Sequence, residues 1–202
     1  MTAKPSGTEF KILEAARLVF IKNGLHGARM QDIADTAGIN KALLHYYFRS
    51  KEMLFDKVFE EAFFNYLNTV DEWNSESLSF KEKIFKYVDK YIEFLTEYPL
   101  VPLFIIKEAS SNPELFREKV MARKSSKGHV KPIDLIRTEL PKYTKEMDPD
   151  MFWVMIQSMC SYPFVGGPVF KMGLKLNNKE WNLVQTKKLG ITVKQFISKW
   201  IG

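Results

Sequence analysis

The sequence predicts an all-α protein, and three observations carry the prediction. Apolar residues recur at three- and four-residue steps along most of the 202 residues. Helix-start signals, such as Asn40, Ser79 and the Asp148-Pro149 pair, sit just ahead of those runs. No stretch alternates apolar and polar residues as a half-buried strand would. The pattern divides into an N-terminal three-helix unit over residues 1–50 and a larger helical body over 51–202.

The elements follow in order. Residues 1–7 are a polar tail expected to fray. Thr8 or Ser6 caps a first helix that runs to Asn23-Gly24, with Phe10, Leu13, Ala16 and Phe20 as its apolar stripe. A short second helix spans about Arg29 to Ala37 and ends at Gly38. A third, capped by Asn40, runs to about Tyr47. Ser50 caps a long fourth helix to about Asn74, with a stripe through Phe55, Phe59, Ala62, Tyr66, Val70 and Trp73. Ser79-Phe80-Lys81-Glu82 has the form of a capping box for a fifth helix carrying Ile84, Val88, Tyr91 and Leu95 on one face. Residues 100–110 read as helical, and Asn112-Pro113 starts another helix. Ser125 to Gly128 is a break, followed by a helix over about 131–140. Asp148-Pro149 opens a helix over about 150–164 that is apolar on nearly every side, and Val165-Gly166-Gly167-Pro168 stops it. The last helix, about 178–200, places Leu189, Val193, Phe196, Ile197 and Trp200 on one face.

Composition narrows the function classes. Apolar residues make up 46% of the chain and charged residues 27%, enough to bury a core. Residues 1–51 hold eight Lys/Arg against four Asp/Glu, so the first quarter carries +4 of the net +6. A basic module on a near-neutral body points to a polyanion partner. The single cysteine, Cys160, permits no internal disulfide and suits a reducing cytoplasm. No secretory leader or run of 18 apolar residues is present, so neither secretion nor a membrane span is expected. His26, His45, His129 and Cys160 lack metal-ligand spacing, and no phosphate-binding glycine loop occurs. Catalysis, a metal and a cofactor are therefore not expected.

Gln31 to Phe48 reads as two short helices joined at Ala37-Gly38-Ile39. Ile33, Ala34, Ala37, Ile39, Leu44 and Phe48 are spaced to pack the pair on the first helix, and Gly38 supplies the turn. The second helix of such a motif lies in the major groove of double-stranded DNA with its N-terminal residues at base edges. Lys41 reaches a guanine edge or a phosphate, and Ala42 or Leu43 a thymine methyl. His45, Tyr46 and Tyr47 donate to phosphates, as does Lys51. Such modules dimerise to place two reading helices about 34 Å apart, one DNA turn.

The stretch Gly24 to Leu54 resembles the DNA-binding domain of the TetR family of regulators. Ile33-Ala34, Ala37-Gly38-Ile39, Lys41, Leu44, Tyr46-Tyr47-Phe48 and Ser50-Lys51-Glu52 carry the resemblance. It implies a cytoplasmic, homodimeric repressor on a palindromic operator. It assigns DNA contacts to Gln31, Lys41, Ala42, Leu43, His45, Tyr46, Tyr47 and Lys51. Arg29-Met30 stands where the family often has a Thr pair, so Arg29 supplies a charged contact there; Leu43 and His45 replace a frequent Thr and Tyr. Dimerisation through about 150–164 and 178–200, as a four-helix bundle, is implied too. So is an effector pocket for a small apolar or aromatic molecule. Phe63, Tyr66, Tyr87, Tyr91, Phe104, Lys107, Trp153 and Gln157 are available to line it, with ordinary core packing as the competing reading. A helical interaction module without ligand response is the alternative for the body.

Overall fold

Helix signals at the sequence level become twelve α-helices in a computed structural model, which describes residues 7–68, 77–99, 101–111, 113–122 and 132–202; the side chains of 62–68, 108 and 119–122 lie outside the description. In order these are α1 (Thr8–Gly27), α2 (Met30–Ala37), α3 (Lys41–Tyr47), α4 (Lys51–Asn68), α5 (Phe80–Glu97), α6 (Val101–Ser111), α7 (Pro113–Ala122), α8 (Pro132–Glu139), α9 (Pro149–Val165), α10 (Gly167–Gly173), α11 (Asn178–Leu183) and α12 (Leu189–Ile201). A 3-10 turn at Leu140–Lys142 follows α8, and a π-helical segment at Val184–Lys188 joins α11 to α12. The described residues contain no strand.

The chain divides into two units: residues 1–64 with 103–122, and residues 65–102 with 123–202. The N-terminal unit centres on α1. Ile12, Leu13, Ala16 and Phe20 meet Ile33 and Ala34 of α2, Leu44 of α3 and Leu54, Phe55, Val58 and Phe59 of α4 in one buried cluster. Phe104 of α6 joins it, with its ring 5.6 Å from Phe55 and 6.2 Å from Phe59. Burying each such aromatic stabilises the fold by about 1.5–3 kcal/mol. This core therefore extends well past the boundary near residue 50 that the motif indicates. Arg17 is buried in the same unit, pairing with Glu14 at 2.5 Å and Glu61 at 3.5 Å.

The C-terminal unit is built on α5, α9 and α12, which pack on one another, with α8 against α9. Ile84, Tyr87, Val88, Tyr91 and Leu95 bury one face of α5, as the sequence stripe indicates. Phe152, Ile156, Cys160 and Phe164 bury one face of α9, and Val193, Ile197 and Ile201 one face of α12. Burial pushes the Cys160 thiol up to about 12, so it stays a small apolar side chain.

Most caps stand where the sequence puts them. Asn40 accepts from the Leu43 N–H, Ser50 from Met53 and Asp148 from Met151. Ser79 and Glu82 form the full capping box, which holds the Glu82 carboxyl below the usual carboxylate range.

Other elements differ from expectation. Gly7, not Thr8, precedes α1, without a side-chain cap; Ser6 lies outside the described residues. Phe10 is 43% exposed, because the buried stripe runs through Ile12, Leu13, Ala16, Val19 and Phe20 instead. Gly24 ends the regular part of α1 with φ 70° and ψ 176°, but another turn follows to Gly27. The expected single helix over 178–200 is interrupted by the π segment. Before that segment Trp181 stacks on Phe170 and covers Gly167; after it Val193 and Ile197 turn into the core. A wider turn lets one helix serve both directions. Gly166 does stop α9, yet Gly167-Pro168 at once restarts the chain as α10. Val70, Trp73 and Asn74 of the expected fourth helix, Asn112, and the Ser125–Gly128 break lie outside the described residues, as do the side chains of Ala62 and Tyr66.

Candidate nucleic-acid interface

The Gln31–Phe48 segment forms a helix-turn-helix whose turn is fixed by Gly38. Its φ of 67° and ψ of 34° lie in the left-handed region, where glycine carries no Cβ penalty. The Ile39 N–H reaches back to the Ala34 carbonyl at 3.0 Å and the Gly38 N–H to Asp35 at 3.2 Å, which closes α2. Ile33, Ala34 and Leu44 are fully buried and Phe48 nearly so, while Ala37 and Ile39 are half-buried against the same core.

With Leu44 and Phe48 pointing inward, α3 presents the rest of its surface. Lys41, Ala42, Leu43, His45, Tyr46 and Tyr47 are all exposed. Tyr46 is 80% exposed, and its ring meets Tyr47 edge-on at 5.5 Å. An aromatic side chain that finds no cover on its own chain is out of place on a bland surface. Arg29 caps the start of α2 through its backbone alone, and its side chain is exposed. Gln31 is exposed as well, its amide donating to Asp35 at 2.8 Å. Arg49, one residue beyond Phe48, is another exposed cation, one to which the sequence pattern gives no role.

Lys51 is placed differently from the other expected contacts. It is half-buried, and its ammonium donates to the Ala28 carbonyl at 3.1 Å and the His26 carbonyl at 3.3 Å. Two of its three donors therefore hold the chain between α1 and α2, leaving one for a phosphate.

The residues available for an effector pocket fall into three groups. Tyr87, Tyr91, Trp153 and Gln157 come together in the C-terminal unit. Tyr87 and Tyr91 stack at 5.5 Å, Trp153 lies 5.1 Å from Tyr87, and the Gln157 amide donates to the Tyr87 hydroxyl. Phe104 and Lys107 lie in the N-terminal unit. Phe104 belongs to the N-terminal core, and the Lys107 ammonium is bonded to the end of α1, 2.9 Å from the Ile21 carbonyl. Phe63 and Tyr66 lie on α4, their side chains outside the described residues. A separate open groove of about 470 Å³ lies between α5 and the start of α12, lined by Asp89, Ile92, Glu93, Gly190, Ile191 and Lys194 among others. Among the described residues no group of three or more His, Cys, Asp or Glu is placed to hold a metal, and no helix is long and apolar enough to cross a membrane.

Comparison with known proteins gives the arrangement a lineage. Residues 12–58 match the family model for bacterial regulatory proteins of the tetR family. The chain is 28% identical over 130 residues to a fatty acid metabolism regulator protein of Bacillus subtilis, covering 64% of this chain and 66% of that protein. It is 32% identical over 114 residues to the HTH-type transcriptional regulator RutR of Escherichia coli, covering 53% of this chain and 50% of RutR. The chain thus spans about half to two thirds of the length of the curated relatives it matches. Its fold is similar to that of a TetR-like transcriptional regulator from Rhodococcus, with TM-score 0.63 and 18% identity over 96% of this chain and 98% of that one. It is also similar to the regulator FadR from Bacillus subtilis in complex with stearoyl-CoA, with TM-score 0.58 and 19% identity over 96% of this chain and 100% of that one. The turn at Gly38, the buried Ile33-Ala34 and Leu44, and the exposed Tyr46-Tyr47 all fall inside the matched stretch, so residues 12–58 are similar to the N-terminal module of the tetR family of bacterial regulatory proteins.

Proposed function

We propose that the chain is a DNA-binding transcription regulator, acting as a homodimeric repressor that a small apolar or aromatic effector releases from a palindromic operator. The surface of α3 carries the reading: every position but Leu44 is exposed, and together they offer one cation, two small or branched apolar groups, a histidine and two tyrosines. Ala42 and Leu43 face base edges and Lys41 a guanine edge or a phosphate; Arg29, Gln31, His45, Tyr46, Tyr47 and the remaining donor of Lys51 face the backbone. The functional division stays near residue 50, with 1–50 and the adjoining Lys51 touching DNA and the rest of 51–202 binding effector and partner. The regulated DNA puts the protein in the cytoplasm. Family members regulate rather than catalyse, and no enzymatic activity is assigned.

Dimerisation rests on the far side of α9 and on α12. Met151, Val154 and Tyr162 of α9 and Ile191 of α12 are exposed, opposite the faces that fill the core. A second copy covering them would make the four-helix bundle that the family resemblance implies.

The effector site is proposed around Tyr87, Tyr91, Trp153 and Gln157. Because a structure similar in fold, FadR from Bacillus subtilis, was solved in complex with stearoyl-CoA, the first effector to test is a long-chain acyl-CoA, whose acyl chain is the apolar part. A body without ligand response is the second reading. It is favoured by the complete burial of Tyr87, whose hydroxyl already has Gln157 as partner.

The test uses a duplex taken from the DNA upstream of the chain's own gene. The double variant Lys41→Ala, Tyr46→Ala is expected to bind at least about tenfold more weakly, and the slope of log affinity against log salt is expected to become shallower by roughly 0.9 for each phosphate left without its cation. Unchanged binding by that variant would remove α3 from the interface. Acyl-CoA that leaves the wild-type affinity constant would favour the second reading of the body.

A further inference from the structure

Lys107 has no part in the DNA surface proposed above, yet its bonds bear on where that surface begins. The regular part of α1 stops at Gly24, just past the carbonyls of its preceding turn. Two of them, on Ile21 and Lys22, accept from the Lys107 ammonium at 2.9 and 3.3 Å. A cation at this end of a helix also meets the negative end of the helix dipole. A Cβ at Gly24 would meet Cε and Nζ of Lys107 at 3.6 and 3.8 Å, in ordinary van der Waals contact, so the glycine is required by its φ of 70° and not by space.

The stem that delivers this ammonium is fixed. One turn earlier on α6, Phe104 is buried among Phe55 and Phe59 of α4. The other side of the link is held by Lys51, which donates to His26 and Ala28. The four residues Leu25 to Ala28 are thus bracketed by two ammonium groups, each from a different helix. α2 follows immediately, and Arg29 gives it no side-chain cap. The start of α2 is therefore located by the link rather than by a cap of its own.

From this geometry we infer that Lys107 is a positioning residue for DNA binding: it clamps the end of α1 at Gly24 and so sets where α2 begins and how it meets the phosphates. The inference rests on the DNA-binding reading for its consequence, although the clamp itself stands on geometry alone. Lys107 donates to backbone carbonyls, so its effect on affinity does not pass through a phosphate contact of its own.

Two measurements on the full chain decide it, using Lys107→Met, which keeps length and removes charge, and Lys107→Arg, which keeps a donor. In hydrogen exchange, Lys107→Met is expected to speed the amides of residues 24–33 by about tenfold, with α5 and α9 unchanged, and Lys107→Arg to restore most of the protection. On the upstream duplex, Lys107→Met is expected to bind about three- to tenfold more weakly with an unchanged salt slope. Unchanged exchange at 24–33 overturns the clamp, as does an equal loss of protection throughout the chain. A salt slope reduced by about one overturns positioning in favour of direct phosphate contact. A wild-type chain that binds no duplex sinks the DNA reading, while the exchange experiment still decides the clamp.

Discussion

In α2 and α3 the apolar side chains Ile33, Ala34 and Leu44 are buried, and what remains outside includes Gln31, Lys41, Ala42, Leu43, His45 and two tyrosines. On α9 and α10 the division is different. Phe152, Ile156 and Cys160 fill the core, yet Met151, Val154, Tyr162, Val169 and Met172 stand exposed, Met172 by 76%. The first region has buried its larger apolar groups except Leu43 and offers mostly hydrogen-bonding side chains to solvent; the second has more apolar surface than its own core takes up. Surfaces of the first kind suit a charged, hydrated ligand, and surfaces of the second kind suit another protein face. On the function proposed above, these are two interfaces that can be lost separately.

The largest expected effect separates them. Leu44→Asp puts an unpaired carboxylate into the core beside Ile33 and Phe48, at a cost of about 4 kcal/mol or more. DNA binding and exchange protection over residues 12–59 are expected to be lost, while the protection of α5, α9 and α12 persists. Simultaneous loss of both would show that the two regions fold as one. Next in size, Val154→Glu with Ile191→Glu is expected to weaken self-association by about a hundredfold, read by sedimentation across a concentration series. Exposed positions tolerate the change, so folding stability should move by no more than about 0.5 kcal/mol. A dimer that survives the substitutions would place the partner elsewhere. Gly38→Ala should be smaller and confined to the first region. Nothing lies within 4 Å of an added Cβ, so only the left-handed backbone opposes it, by about 1–2 kcal/mol. Urea unfolding measures that loss.

What can be read from the sequence follows the same division. The helix-turn-helix is legible because each of its signals is local: Gly38 after Ala37, Asn40 three residues before Leu43, Ile33-Ala34 one turn before the break. The Ser79–Glu82 capping box and the proline start at Asp148-Pro149 are legible for the same reason. Lys107 is not, since its partners lie 85 and 86 residues away and a lysine on an apolar helix reads equally well as a pocket anchor. Phe104 reads either as lining the pocket that the family resemblance implies or as ordinary core, because the sequence does not say what buries it; the structure puts it in the N-terminal core. The π segment escapes because it depends on Trp181 packing over Gly167 while Val193 and Ile197 turn inward, a conflict visible only after folding. Phe10 illustrates the converse: it fits a helical stripe by spacing, but Ile12 and Val19 occupy the buried side.

The smallest effect concerns Glu61, which joins α4 to α1 through Arg17. Burial raises its pKa above the ordinary 4.5, and Arg17, 3.5 Å away, only partly reverses this. Between 4.5 and the raised value the folded chain keeps a proton that the unfolded chain has released. Stability therefore falls as pH rises through that window and is level above it. Lowered carboxylates such as Glu82 and Asp150 act in the opposite sense, losing their contribution as pH falls through their folded values. Glu61→Gln removes the titration, so the unfolding midpoint should lose the part of its slope that lies just above pH 4.5. At neutral pH two changes oppose each other. The variant is relieved of a partly buried charge, and Arg17 keeps Glu14 at 2.5 Å but loses its second carboxylate. The net change at pH 7 is expected to be on the order of a few tenths of a kcal/mol, and a larger loss would show that the Arg17–Glu61 pair holds α1 on α4 more firmly than its partial exposure implies.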